Sequence, residues 1–213
     1  MTTENFETID TLLSRYVAGA LPEPARVLVE AHLEMKPDNR MLVAGLESLA
    51  GVALEEEAPA ALASSRTNLE AIFTSKAPVA AKRPTTAGLF PHALRDFLGF
   101  DADRVPWRTK MPGFREFEMG EVDGCHVSLF WIRPGRKIPH HTHDGSELTL
   151  VVDGAFRDVS GLYGPGDIAI ADQSINHRPI AEKDRPCISF AVTDAPLRFN
   201  GPIGQRLSDI LGF

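Results

Sequence analysis

The sequence predicts an α+β chain of two units, a small N-terminal helical bundle followed by an all-β sandwich or barrel. Three observations predict it. Up to about residue 57 the apolar residues recur every three or four positions, the spacing of amphipathic helices. Residues 76–91 have the Ala, Pro, Thr and Gly composition of a linker. Beyond residue 125 the apolar runs are short, β-branched or aromatic, and Gly, Pro and Asp turns separate them.

In chain order, Ile9, Leu12, Leu13, Tyr16 and Val17 outline a first helix beginning near Phe6, with Gly19 as its stop. Pro22-Glu23-Pro24 opens a second helix carrying Val27, Leu28, Val29, Ala31, His32 and Leu33. It ends before Pro37, because the residue preceding a proline leaves helical geometry. Asp38 or Asn39 caps a third helix running to Glu55-Glu56-Glu57. A fourth covers Thr67 to Ser75, and a short helical piece spans His92 to Leu98. Strands are expected in 126–131, 148–152, 167–171 and 187–192, with turns at Arg133-Pro134-Gly135, Asp153-Gly154 and Gly164-Pro165-Gly166-Asp167. The division is therefore a helical unit over 1–75, a linker over 76–91, a β unit over 92–196 and a tail over 197–213. Ile203, Leu207, Ile210, Leu211 and Phe213 give that tail a helical pattern.

A length of 213 residues suffices for one large domain or two small ones, and 43 % hydrophobic with 24 % charged residues excludes a disordered or fibrous chain. No apolar run reaches the roughly 20 residues of a membrane helix, and the N-terminus lacks a signal-peptide layout, so the expected location is cytoplasmic. The net charge of -7 is confined to one end. Residues 1–75 hold five basic and twelve acidic side chains, whereas the other 138 residues hold seventeen of each. The acidic third excludes direct nucleic-acid binding by that part and suits either a solvated helix surface or a basic partner. Cys125 and Cys187 are far apart with no C-x-x-C, so they read as small, half-buried apolar side chains rather than redox or zinc groups.

Three of seven histidines crowd into His140-His141-Thr142-His143, and Glu147 follows. Residues two apart on a strand share a face, so His141 and His143 can aim at one point. A turn over Asp144-Gly145-Ser146 returns Glu147 to that face, and His177 is the candidate fourth ligand from a neighbouring strand. Three imidazoles and a carboxylate suit Zn²⁺, Mn²⁺, Fe²⁺ or Ni²⁺, whereas Ca²⁺ or Mg²⁺ would need more oxygen. His140 faces the other way and reads as a bystander; His92 and His126 have no sequence partners and read as surface or structural residues.

The spacing Gly135, His141, His143, Glu147, Gly154 resembles the first cupin motif, and Gly164-Pro165-Gly166-Asp167 followed by His177 resembles the second. Gly164 stands where a proline is common and Ala181 where an asparagine is common, and neither departure touches a ligand. The resemblance implies a double-stranded β-helix, a jelly-roll barrel, with a metal held by His141, His143, Glu147 and His177.

A second resemblance covers nearly the whole chain. An acidic helical unit joined to a single cupin is similar to the ChrR-type anti-sigma factors. Matching stretches include residues 11–19, Ser146-Glu147-Leu148-Thr149-Leu150-Val151, Gly154-Ala155-Phe156-Arg157-Asp158 and residues 193–200. This implies an extracytoplasmic-function sigma factor as partner of residues 1–75, an oxidative signal such as singlet oxygen at the cupin, and zinc as the favoured cupin metal. The family also binds zinc in its helical domain through H-x-x-x-C-x-x-C and an upstream histidine. Here those positions read His32, Lys36 and Asn39, with Phe6 or Glu7 upstream, and Lys and Asn are poor zinc ligands. No zinc is expected in the bundle, which is then held by apolar packing alone, with His32 in a helix interface or exposed.

Two other readings stand beside the regulator. One is a dioxygenase-like metalloenzyme built on the same four ligands, for which no further acid, base or nucleophile can be named. The other is a cupin that binds a small molecule around a structural metal. A homodimer and a small-molecule ligand in the barrel stay open, and no membrane partner is expected.

Overall fold

The computed structural model describes residues 8–60, 65–76, 88–138, 141–143, 145–172, 178–194 and 197–199. Helix α1 (Ile9–Val17) starts at Thr8, whose backbone is extended and whose Oγ1 accepts the Thr11 amide at 3.2 Å. It ends in a Schellman turn, in which the Gly19 amide donates to the Tyr16 carbonyl and the Ala20 amide to that of Arg15. Gly19 sits at φ 65°, a left-handed geometry that a side chain would strain.

Helix α2 (Glu23–Met35) opens behind Pro22 with Pro24 in its first turn. It stops at Lys36, whose φ of -123° and ψ of 82° have left the helical region that a residue before proline avoids. Helices α3 (Asn39–Glu56) and α4 (Ser65–Thr74) follow. The expected cap of α3 is corrected: Asp38 occupies the N-cap position without a side-chain bond, and the Asn39 amide reaches back 2.8 Å to His32. Leu12, Leu13, Leu28 and Val29 are fully buried, whereas α3 buries only Val43. The register of α2 places Ala25, Leu28, Val29 and His32 on its buried face, and truncating Leu28 to Ala would cost about 2–5 kcal/mol.

After helix α5 (His92–Leu98) come the strands β1 (Arg108–Met111), β2 (Phe114–Val122), β3 (Cys125–Ile132), β4 (His141–His143), β5 (Glu147–Asp153), β6 (Phe156–Arg157), β7 (Leu162–Tyr163), β8 (Ile168–Ala171), β9 (Ile180–Ala181), β10 (Cys187–Thr193) and β11 (Leu197–Phe199). Six form an antiparallel sheet in the order β1-β2-β3-β10-β5-β8; β7-β6-β9 and β11-β4 form two smaller sheets. Crossovers within the large sheet give the jelly-roll barrel of a cupin rather than a simple meander.

Period-two alternation gives the large sheet two buried faces. On β5, Leu148, Leu150 and Val152 join Val127, Leu129 and Phe190 in a core that also contains Leu28 and Leu94 of the helices. Helices α2 and α5 therefore cover the outer face, where Phe97 meets Phe190 edge-on with ring centroids 6.1 Å apart. The other β5 set faces the barrel interior, where Val151 packs with Ile132, Ile138, Phe156 and Cys187. Both cysteines are buried, further inside than expected, and they form no disulfide.

The bundle is not held by apolar packing alone, contrary to the sequence expectation. Asp123, on the β2–β3 turn, accepts the Glu23 amide at the start of α2 at 2.9 Å. The Glu34 carboxylate of α2 accepts the His92 and Ala93 amides at 2.6 and 2.9 Å, satisfying orphan donors of α5. At the same end of α2 as Glu34, His32 and Lys36 meet the turn that leads into β8.

Candidate metal centre

Strand β4 carries His141 and His143 two residues apart, and its backbone pairs with β11, His141 opposite Phe199 and His143 opposite Leu197. Glu147 begins β5 after a three-residue connection. Its side chain is 6 % exposed, and the Thr149 hydroxyl on the same face of β5 donates to Glu147 Oε1 at 2.9 Å. A buried carboxylate with one oxygen steadied by a hydroxyl is a fitting donor for a divalent cation. His140 and His177 lie outside the described residues, as does most of the tail. Among the described residues no three His, Cys, Asp or Glu side chains converge on one point.

Strand register sets residues distant in sequence beside Glu147, which no local pattern shows. Thr193 pairs with Glu147 on one side and with His126 on the other, while Glu121 pairs with His126 and Ala171 with Glu147. His126 thus lies in one cross-strand row with Glu147, although 21 positions separate them in sequence. Its parity with Ser128 and Phe130 was a usable signal; its strand neighbours were not. Asp194 follows β10 and accepts the Ser146 amide at 2.6 Å, which fixes the approach to Glu147.

Glu116 is a second buried carboxylate. It is 2 % exposed and lies opposite Phe130, on the interior face of β2, with Lys110 Nζ 3.1 Å away. Burial raises its pKa, and the Lys110 hydrogen bond and charge oppose that rise. His92 is structural, its Nδ1 lying 3.1 Å from Asp96. Burial, reinforced by Asp153, pushes the Cys187 thiol up to about 12, so this sulfur is no nucleophile or ready metal ligand.

The helical positions of the degenerate zinc motif form a different structure. His32 is buried, its Nδ1 lies 2.6 Å from the Gly166 carbonyl oxygen, and its Nε2 lies 2.8 Å from Asn39 Nδ2. A carbonyl only accepts, so Nδ1 carries the proton and Nε2 accepts from the Asn39 amide, which fixes a neutral tautomer. Burial lowers the His32 pKa, as that arrangement requires; the Gly166 bond and Asp167 act in the opposite direction. Lys36 pairs with Asp167 at 3.1 Å.

A family model described as the ChrR cupin-like domain matches residues 97–196. The anti-sigma-E factor ChrR of Cereibacter sphaeroides is 39 % identical over 196 residues, 90 % of each chain. The chain belongs to the ChrR family. A crystal structure of Rhodobacter sphaeroides SigE in complex with the anti-sigma ChrR is similar to it at 36 % identity and a TM-score of 0.73, covering 88 % of this chain and 97 % of that one. The ChrR likeness therefore extends through the helices as well as the cupin. Among the described residues of this ChrR-family chain no helix is long and apolar enough to cross a membrane.

Proposed function

We propose that this chain is an anti-sigma regulator: its helical unit, residues 1–75, holds an extracytoplasmic-function sigma factor inactive, and its cupin holds the sensing site. The likeness at 88 % coverage to a chain crystallised with SigE carries this reading. The helices supply its physical basis. Met41 is 84 % exposed, Leu49 68 %, Leu54 74 %, Ile72 64 % and Phe73 81 %, an apolar surface on α3 and α4. The same helices and their ends carry Glu47, Glu55, Glu56, Glu57 and Glu70, which complement a basic partner and accelerate encounter.

In the barrel, His141, His143, Glu147 and His177 would hold a divalent transition metal, with zinc first by family resemblance and Mn, Fe or Ni as alternatives. A metal there would supply Lewis-acid or redox chemistry toward an oxidant or ligand. Thr149 orients Glu147, and Asp194 holds the turn before it. The sensed signal is oxidative, and with both cysteines buried the cupin rather than a thiol receives it. The protein acts in the cytoplasm, where its partner works.

Co-purification of the full chain with its extracytoplasmic-function sigma factor tests the reading. A 1:1 complex at 50 mM salt that weakens at 500 mM is expected, because exposed charges steer it. No complex at low salt would overturn it. Elemental analysis tests the metal: stoichiometric iron with O₂-dependent turnover would favour the dioxygenase alternative.

A further inference from the structure

The three positions that resemblance assigns to a helical zinc motif are all engaged by one cupin turn or by each other. His32 bonds the Gly166 carbonyl, Asn39 bonds His32, and Lys36 pairs with Asp167. Gly166 sits at φ 85°, and a Cβ there would lie 2.7 Å from Lys36 Cγ and 2.9 Å from Met35 Cβ. Only glycine allows the end of α2 so close, and the fit is one of backbone to helix as well as of side chain to side chain.

The turn is itself tightly built. Asp167 turns one carboxylate oxygen to Lys36 and the other to the Gly164 amide at 2.8 Å. The Gly166 amide donates to the Val151 carbonyl of β5, and the Val151 amide donates to the carbonyl of Asp167. Strand β8 begins one residue later, and its last residue, Ala171, pairs with Glu147. Four strand residues thus separate the His32 contact from the candidate metal centre.

We propose that His32, Lys36 and Asn39 form a metal-free fastener that binds the Gly164–Asp167 turn, so that α2 and β8 open as one unit. A zinc in the bundle would fix helices to each other; this network fixes them to the cupin. The coupling rests on these contacts alone, and only its consequence, that a change in the barrel reaches the sigma-binding helices, rests on the anti-sigma reading. The exposed Lys36–Asp167 pair contributes little by itself. The buried imidazole carries most of the effect, since its loss strands the Gly166 carbonyl.

Hydrogen exchange of the full chain, without sigma factor and followed by mass spectrometry, tests this separately from partner binding. His32→Ala is expected to speed exchange about tenfold or more in both 23–35 and 168–171. His32→Asn, which keeps an amide donor at the Nδ1 position, should recover most of that protection. Lys36→Met should speed both segments about two- to fivefold, the scale of an exposed ion pair, and Lys36→Arg should not. Strand β3, 125–132, should keep its protection throughout. If α2 loosens while β8 stays unchanged, or if His32→Asn behaves like His32→Ala, the fastener is overturned. Should His32→Ala unfold the chain and expose β3 as well, the Lys36 pair of variants decides by the same criterion.

Discussion

Thr149 Oγ1 donates to Glu147 Oε1 across 2.9 Å on the interior face of β5. The bond selects one carboxylate orientation in a site where Glu147 is nearly inaccessible to water. Thr149→Val removes the donor and keeps the β-branched shape. It is expected to weaken metal binding about 10–100-fold, as measured by competition with a chromophoric chelator, while the thermal midpoint falls by only a few degrees.

The helical surface gives a second prediction. Phe73→Asp and Met41→Asp alter side chains that are more than four-fifths exposed, so neither should destabilise the chain measurably. Each is expected to weaken the sigma complex at least about fivefold by isothermal titration, the loss of an interface anchor worth above about 1 kcal/mol. Unchanged affinity in both would remove α3 and α4 from the interface.

His32 makes stability depend on pH with a definite sign. Its pKa is lowered in the folded protein, so the unfolded chain binds the extra proton first. The stabilisation is complete above the ordinary histidine value of about 6.5 and is lost as pH falls from there through the folded value. Lys36 and Asp167 face the same ring from opposite signs, and neither reverses the dominance of burial. Urea midpoints measured from pH 8 to pH 5 should fall below pH 6.5, and His32→Asn should flatten the part of that slope due to this residue.

Cys187 should be silent to thiol reagents. With its pKa near 12, about 10⁻⁴ of it is thiolate at pH 8, and the sulfur is fully buried. Disulfide-exchange reagents should label it only after unfolding, with a rate that follows denaturant. Fast labelling of the native chain would reopen a thiol-based sensing route.

Much of this molecule is legible from local pattern, and what escapes is long-range. The Gly19 stop and the break before Pro37 are written in backbone preferences, and period-two runs mark β3, β5, β8 and β10. The spacing from Gly135 to Gly154 identifies the candidate site because glycine turns and H-x-H recur together. No local pattern indicates that His32 meets Gly166, 134 positions away, since that contact depends on how the cupin's outer face receives α2. For the same reason Asp123 capping α2, Asp194 holding Ser146 and His126 sharing a row with Glu147 emerge only from register and packing. Asn39 shows how a tertiary partner overrides a local rule, as its amide serves His32 rather than the start of α3.

On the proposed function, the full chain holds a sigma factor inactive. The most direct measurement is transcription from a sigma-dependent promoter by polymerase reconstituted with that factor, titrated with the purified chain. Transcript should disappear as the chain approaches equimolarity with the sigma factor, and Phe73→Asp should shift that loss to higher concentration. Undiminished transcript at a tenfold excess of the wild-type chain would contradict the account.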